Sequence, residues 1–148
     1  MSTSLKDKNE RILQTLEWLA QESTKGIPII VEGKKDTEAL RTLAIEGNII
    51  EVKTSGKPML EVLYKVEKCG APEAILLLDF DRRGKEWTKR LKQDLEKMQI
   101  KPNTIFWEKL QSIVGSEVKD IEGLKSYMET LKKKAKEFEK NQMSTSAI

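Results

Sequence analysis

Two apolar runs in this chain each stop at a carboxylate, and that pattern restricts the fold more than any other feature. The first, Ile29-Ile30-Val31, runs into Glu32-Gly33-Lys34-Lys35-Asp36. The second, Ile75-Leu76-Leu77-Leu78, runs into Asp79-Phe80-Asp81-Arg82-Arg83-Gly84. Continuous apolar runs fit strands of a parallel sheet covered on both faces, and the carboxyl ends of such strands open on the crevice where α/β proteins bind ligands. Glu32, Asp79 and Asp81 are therefore expected to meet at one sheet edge, with carboxylates roughly 4–8 Å apart. Carboxylates held this close repel one another, and a bound cation relieves the repulsion. Donors that are all hard oxygens favour Mg2+ or Mn2+, and phosphate is the usual substrate group of such ions.

The rest of the chain alternates between helical and strand periodicity. Residues 5–22 read as an amphipathic helix, with Leu5, Ile12, Leu13, Leu16 and Leu19 near one face. A strand over 27–31 leads to a helix over 36–45, closed by a left-handed stop at Gly47-Asn48. A short strand over 49–52 and a turn over 54–58 come next. Leu60, Leu63 and Val66 then give the next helix its apolar face. After the central strand at 74–78, residues 84–98 repeat Trp87, Leu91, Leu95 and Met98 at helical spacing. Thr104-Ile105-Phe106 reads as a fourth strand, 107–114 as a short helix, and 121 to about 140 as a last one. The predicted fold class is α/β: a single domain with a parallel sheet of about four strands flanked by helices. Within it, 1–26 forms an N-terminal helix packed on the domain, 27–114 the core, and 115–148 a C-terminal helix and frayed tail.

Composition narrows the chemistry. The 148 residues contain no histidine, which excludes Ser-His and Cys-His nucleophile pairs and imidazole metal ligands. Cys69 is the only cysteine, so neither an intrachain disulfide nor a Cys-rich zinc site is available. Catalysis must rest on carboxylates, Lys, Arg, hydroxyls or a metal. A net charge of +3 is too small to argue for nucleic-acid binding by itself, so the placement of the positive charges matters. No apolar run approaches the roughly 20 residues that span a bilayer, and no apolar signal core stands at the start, so a cytoplasmic protein without membrane contact is expected.

Val31-Glu32-Gly33 and Asp79-Phe80-Asp81 resemble the two motifs of the Toprim domain, the catalytic fold of topoisomerases, bacterial-type primases and related nucleases. Residues 27–98 carry the resemblance, and the core expected at 27–114 is a Toprim core. The stretch from Val31 to Asp36 with Ala39-Leu40 looks most like primases and the small ribosomal-RNA maturation nucleases. Asp120-Ile121-Glu122-Gly123-Leu124 is similar to stand-alone archaeal Toprim proteins. The resemblance implies that Asp79 and Asp81 hold Mg2+ or Mn2+, and that Glu32 acts as general acid or base or as a further metal-linked carboxylate. Asp79 and Asp81 are expected to share one side of an extended segment while Phe80 packs beneath. Gly33 is expected to permit a tight turn and close approach of a ligand to the backbone. Asp36 has two readings: it orients Lys34 or Glu32, or it simply starts a helix.

Lys34, Lys35, Arg82, Arg83 and Lys85 flank the proposed site, with Lys53 and Lys57 on the middle loop. Lys34, Lys35, Lys57, Arg82 and Arg83 are the expected phosphate contacts, with Arg82 and Lys34 foremost. Trp18, Trp87, Trp107, Tyr64 and Tyr127 fall in helical contexts, where packing is the ordinary fate of an aromatic residue. The expected activity is metal-dependent phosphodiester chemistry on nucleic acid, with RNA favoured over DNA, within a larger RNA-processing assembly. Two alternatives stand beside it: a non-catalytic RNA-binding or adaptor module, and a nucleotidyl-transfer accessory related to primases or topoisomerases.

Overall fold

The structure is a computed structural model that describes residues 2–54 and 58–146. Four strands, β1 (Ile29–Val31), β2 (Ile49–Glu51), β3 (Glu73–Leu76) and β4 (Lys101–Asn103), form an all-parallel sheet in the order β2-β1-β3-β4. Helices α1 (Ser2–Ser23), α2 (Lys34–Thr42), α3 (Pro58–Cys69), α4 (Arg82–Lys97), α5 (Ile105–Val114) and α6 (Ile121–Ser146) flank it. Ile30 lies opposite Ile50 on one side and Leu76 on the other. Leu77 extends the ladder beyond β3, donating its N–H to the Ile30 carbonyl at 2.8 Å.

Strand alternation divides the apolar residues into two cores. Ile29, Val31, Ile75 and Leu77 face α1, α2, α5 and α6, where Ile12, Leu40, Phe106 and Leu124 are fully buried. Ile30, Ile50, Leu76 and Leu78 face α3 and α4, against Val62, Val66, Leu91 and Leu95. The β1-to-β2 connection runs through α2 on the first face, and the β2-to-β3 connection returns through α3 on the second. Strand order therefore reverses between β1 and β3, which is the switch point where an α/β sheet opens a crevice at its carboxyl edge.

Three expectations need correction. The fourth strand is Lys101–Asn103, and Ile105 and Phe106 belong to α5. Asn103 ends the strand by accepting the Ile105 N–H on its side-chain oxygen at 2.9 Å, as a turn-forming asparagine does. Pro102 is tolerated because β4 is an edge strand paired with β3 alone. The left-handed residue after α2 is Ala44, at φ 66°, rather than Gly47 or Asn48. Gly47 is small for a different reason: a Cβ there would strike the Ser23 side chain and stand 2.5 Å from its carbonyl oxygen. On α3 the buried face is Met59, Val62 and Val66, with Leu63 half-buried, and Leu60 is 66% exposed.

Helix α1 lies along α5 and α6. Its Ile12, Leu16 and Leu19 share one core with Leu110, Met128 and Leu131. No helix among the described residues is long and apolar enough to cross a membrane.

Candidate metal centre

Glu32 follows β1 and Asp79 follows the extended end of β3, so the pairing of these two strands sets the acids side by side. Asp81 arrives by another route. The chain bends at Phe80, and Asp81 becomes the N-cap of α4, accepting the Gly84 N–H on Oδ1 at 2.8 Å. One oxygen from each of Glu32, Asp79 and Asp81 lies within 4.8 Å of the others. The acids thus meet as expected, but a helix cap rather than strand alternation brings Asp81 in.

Phe80 does pack beneath the site. It is 6% exposed, its ring centroid stands 6.2 Å from that of Trp107, and its N–H donates to the Lys119 carbonyl at 2.6 Å. Trp107 in turn donates Nε1–H to the Leu78 carbonyl at 2.9 Å, bracing the backbone just before the two aspartates. Gly84 is required by close approach: a Cβ there would collide with the Asp79 carbonyl oxygen, so only glycine lets α4 start this near the site. Gly33 is not required by the backbone. Its φ of −147° is ordinary extended geometry, and an added Cβ would meet nothing within 4 Å.

The site gathers three carboxylates, of which Glu32 is fully buried. Glu32 is 1% exposed, and Lys53 Nζ and Arg83 Nη2 each stand 3.5 Å from its Oε2. Lys53 is held there by the backbone, its N–H donating to the Glu32 carbonyl at 2.9 Å. Among the described residues, neither carboxylate oxygen of Glu32 accepts a hydrogen bond, nor does Oδ1 of Asp79. The Asp79 carboxyl is pushed up to about 8 by burial first, then by its close approach to Glu32, with the charges of Asp36 and Asp120 adding. Buried carboxylate oxygens without donors are costly unless something positive meets them. Glu32 Oε1 and Asp79 Oδ1 are two such atoms, and with the Asp81 carboxylate beside them they offer the hard-oxygen donors that fit a divalent cation of the Mg2+ or Mn2+ kind.

Asp36 resolves into a linking role. It is buried on α2, accepts the Gly33 N–H on Oδ2 at 3.1 Å, and accepts the Glu122 N–H on Oδ1 at 3.1 Å. It thereby ties the start of α2 to the start of α6, and burial raises its carboxyl above the ordinary range. Asp120 caps α6 through the Gly123 N–H at 2.6 Å and adds negative charge beside Asp36 and Asp79. Its Asp-x-x-Gly spacing shows the cap in the sequence, but only the tertiary fold shows its nearness to the acids.

Among the candidate phosphate contacts, Arg83 lies on the cluster, whereas Arg82 is turned along α4 toward Glu86, with Nε 3.5 Å from Oε1. Lys34 and Lys35 are exposed at the start of α2, and Lys35 stands 4.0 Å from Glu122. Lys57 lies outside the described residues. Trp18 packs edge-on against Phe106 at 4.6 Å. Tyr127 is partly buried against the first core, whereas Tyr64 stands 55% exposed with Lys68 over its ring.

Residues 27–110 match the family model described as the Toprim domain. A UPF0292 protein of Methanosarcina acetivorans is 37% identical over 125 residues, covering 84% of this chain and 85% of the relative. One from Methanocaldococcus jannaschii is 35% identical over 119 residues, covering 80% of this chain and 91% of the relative. A solved structure of a protein from Aquifex aeolicus superimposes with a TM-score of 0.63 at 27% identity, over 74% of this chain and 94% of that one.

Proposed function

This chain belongs to the Toprim domain family, with archaeal UPF0292 proteins among its relatives, and from that premise we propose that it cleaves or processes RNA in a reaction dependent on a divalent metal. The observation that carries the reading is the set of converging carboxylates of Glu32, Asp79 and Asp81, with buried oxygens that accept no hydrogen bond among the described residues.

Asp79 and Asp81 would hold Mg2+ or Mn2+, with Glu32 beside them. The ion would supply Lewis-acid polarisation of a phosphoryl group. Asp81 accepts the Gly84 N–H on Oδ1, a bond that orients its carboxylate beside the other two acids. Glu32 sits where it can hold or release a proton at Oε1, while Oε2 faces Lys53 and Arg83. Those two cations neutralise the carboxylate in the resting site. Their half-exposed side chains also lie where a phosphate backbone would approach, with Lys34, Lys35 and Arg82 farther out.

The test is a cleavage assay on RNA and DNA oligonucleotides with purified protein. RNA is cut in Mg2+ or Mn2+, and cutting stops in EDTA. Glu32→Gln abolishes cutting while largely retaining RNA binding, because the amide keeps the shape but exchanges no proton at neutral pH. Wild-type protein that binds RNA but cuts neither nucleic acid with either metal would favour the non-catalytic RNA-binding alternative.

A further inference from the structure

A cavity adjoins the acidic cluster and shares Asp81 with it. It is an open pocket of about 320 Å3 between the start of α4, the end of α5 and the turn that precedes α6. Phe80 and Val118, both buried, form an apolar floor. Gln111, Gly115 and Ser116 line its wall, and the exposed Lys85 and Lys119 complete the lining.

One wall is fastened by a backbone bond. The Phe80 N–H to Lys119 carbonyl bond, at 2.6 Å, fastens the turn to the segment carrying the two aspartates. Gly115, at φ 59° and ψ −134°, turns the chain sharply out of α5 in a conformation that L side chains rarely adopt. The volume falls at the low end of the roughly 300–1,000 Å3 typical of small-ligand sites. That volume accommodates a planar heterocycle and its sugar.

We infer that this cavity is a nucleoside subsite, which receives the base of a nucleotide whose phosphate lies at the acidic cluster. The inference rests on the proposed nucleic-acid chemistry of that cluster. A nucleobase presents an apolar ring and a polar edge, and the cavity offers an apolar floor with a glutamine amide able both to donate and to accept along such an edge. Lys85 and Lys119 match the negative charge of the flanking phosphates. The shared Asp81 keeps base and phosphate within one nucleotide's reach.

Calorimetric titration in Mg2+ with the four ribonucleoside 5′-monophosphates, ribose 5-phosphate and inorganic phosphate tests this directly. At least one nucleotide binds about tenfold more tightly than ribose 5-phosphate, the size of effect expected from a base edge and ring finding partners. Gln111→Ala, and separately Ser116→Trp at an exposed position, bring that nucleotide down to the ribose 5-phosphate level, while thermal melting reports that each variant is folded. Four nucleotides that all bind no better than ribose 5-phosphate would overturn the subsite, as would a preference that survives both substitutions. Failure of the cleavage reading shows separately: oligonucleotides stay intact in both metals, whatever the nucleotide preference.

Discussion

Asp79→Asn preserves the shape of the side chain and removes the charge that the apo fold accommodates worst. The Asp79 carboxyl is pushed up to about 8, chiefly by burial and next by Glu32. A raised carboxyl pKa means that the folded protein holds a proton which the unfolded chain has already released. The associated stability is complete below the ordinary aspartate value of 3.8 and is lost as pH rises to about 8. Apo wild type is therefore more stable at pH 5 than at pH 8. A displacement of this size carries several kcal/mol at about 1.4 kcal/mol per pH unit, but the side chain is half open to water, and screening reduces the expectation to about 1–2 kcal/mol. For a chain of 148 residues this corresponds to about 3–6 °C in melting temperature. Melting followed by circular dichroism in EDTA is the assay. Asp79→Asn should melt higher than wild type by that amount at pH 8 and nearly equal to it at pH 5. A variant that melts at or below wild type at pH 8, or one displaced equally at both pH values, would refute the reasoning.

Other substitutions probe how the site is built. Gly84→Ala should cost about 1–3 kcal/mol in chemical denaturation, because its Cβ meets the Asp79 carbonyl, whereas Gly33→Ala should change apo stability by less than about 0.5 kcal/mol. Trp107→Phe removes the donor to the Leu78 carbonyl and should cost about 1–3 kcal/mol by the same measurement. Lys53→Ala with Arg83→Ala should weaken RNA binding and reduce the slope of log affinity against log salt by about 1–2, read by fluorescence anisotropy at several salt concentrations.

Much of this arrangement is legible in the sequence because it depends on strand ends. Val31 and Leu78 are the last apolar residues of their runs, and adjacent parallel strands bring the succeeding carboxylates, Glu32 and Asp79, to one edge. The cap at Asp81 is written locally as well, in a glycine three residues on. The features hidden from the sequence depend on tertiary contact. Arg82 and Arg83 are neighbours in the chain, but the helix turns only Arg83 toward Glu32. Asp36 and Glu122 lie far apart in sequence, and only the packing of α2 beside α6 makes one the acceptor of the other. Thr104-Ile105-Phe106 has strong strand propensity, yet Asn103 ends the strand and Phe106 is buried from a helix. Leu60 fits the helical repeat of α3 as well as Met59 does, and only the position of the sheet decides which of them is covered.

The central claim is that Glu32, Asp79 and Asp81 together hold a divalent cation, and Mn2+ titration followed by electron paramagnetic resonance tests it most directly. Wild-type protein should remove one equivalent of Mn2+ from the free-ion signal, with Mg2+ competing, and should melt higher by an amount that grows with metal concentration. Asp79→Asn with Asp81→Asn should abolish both the binding and the rise in melting temperature. Full-affinity binding by that double variant would place the ion elsewhere and contradict the account.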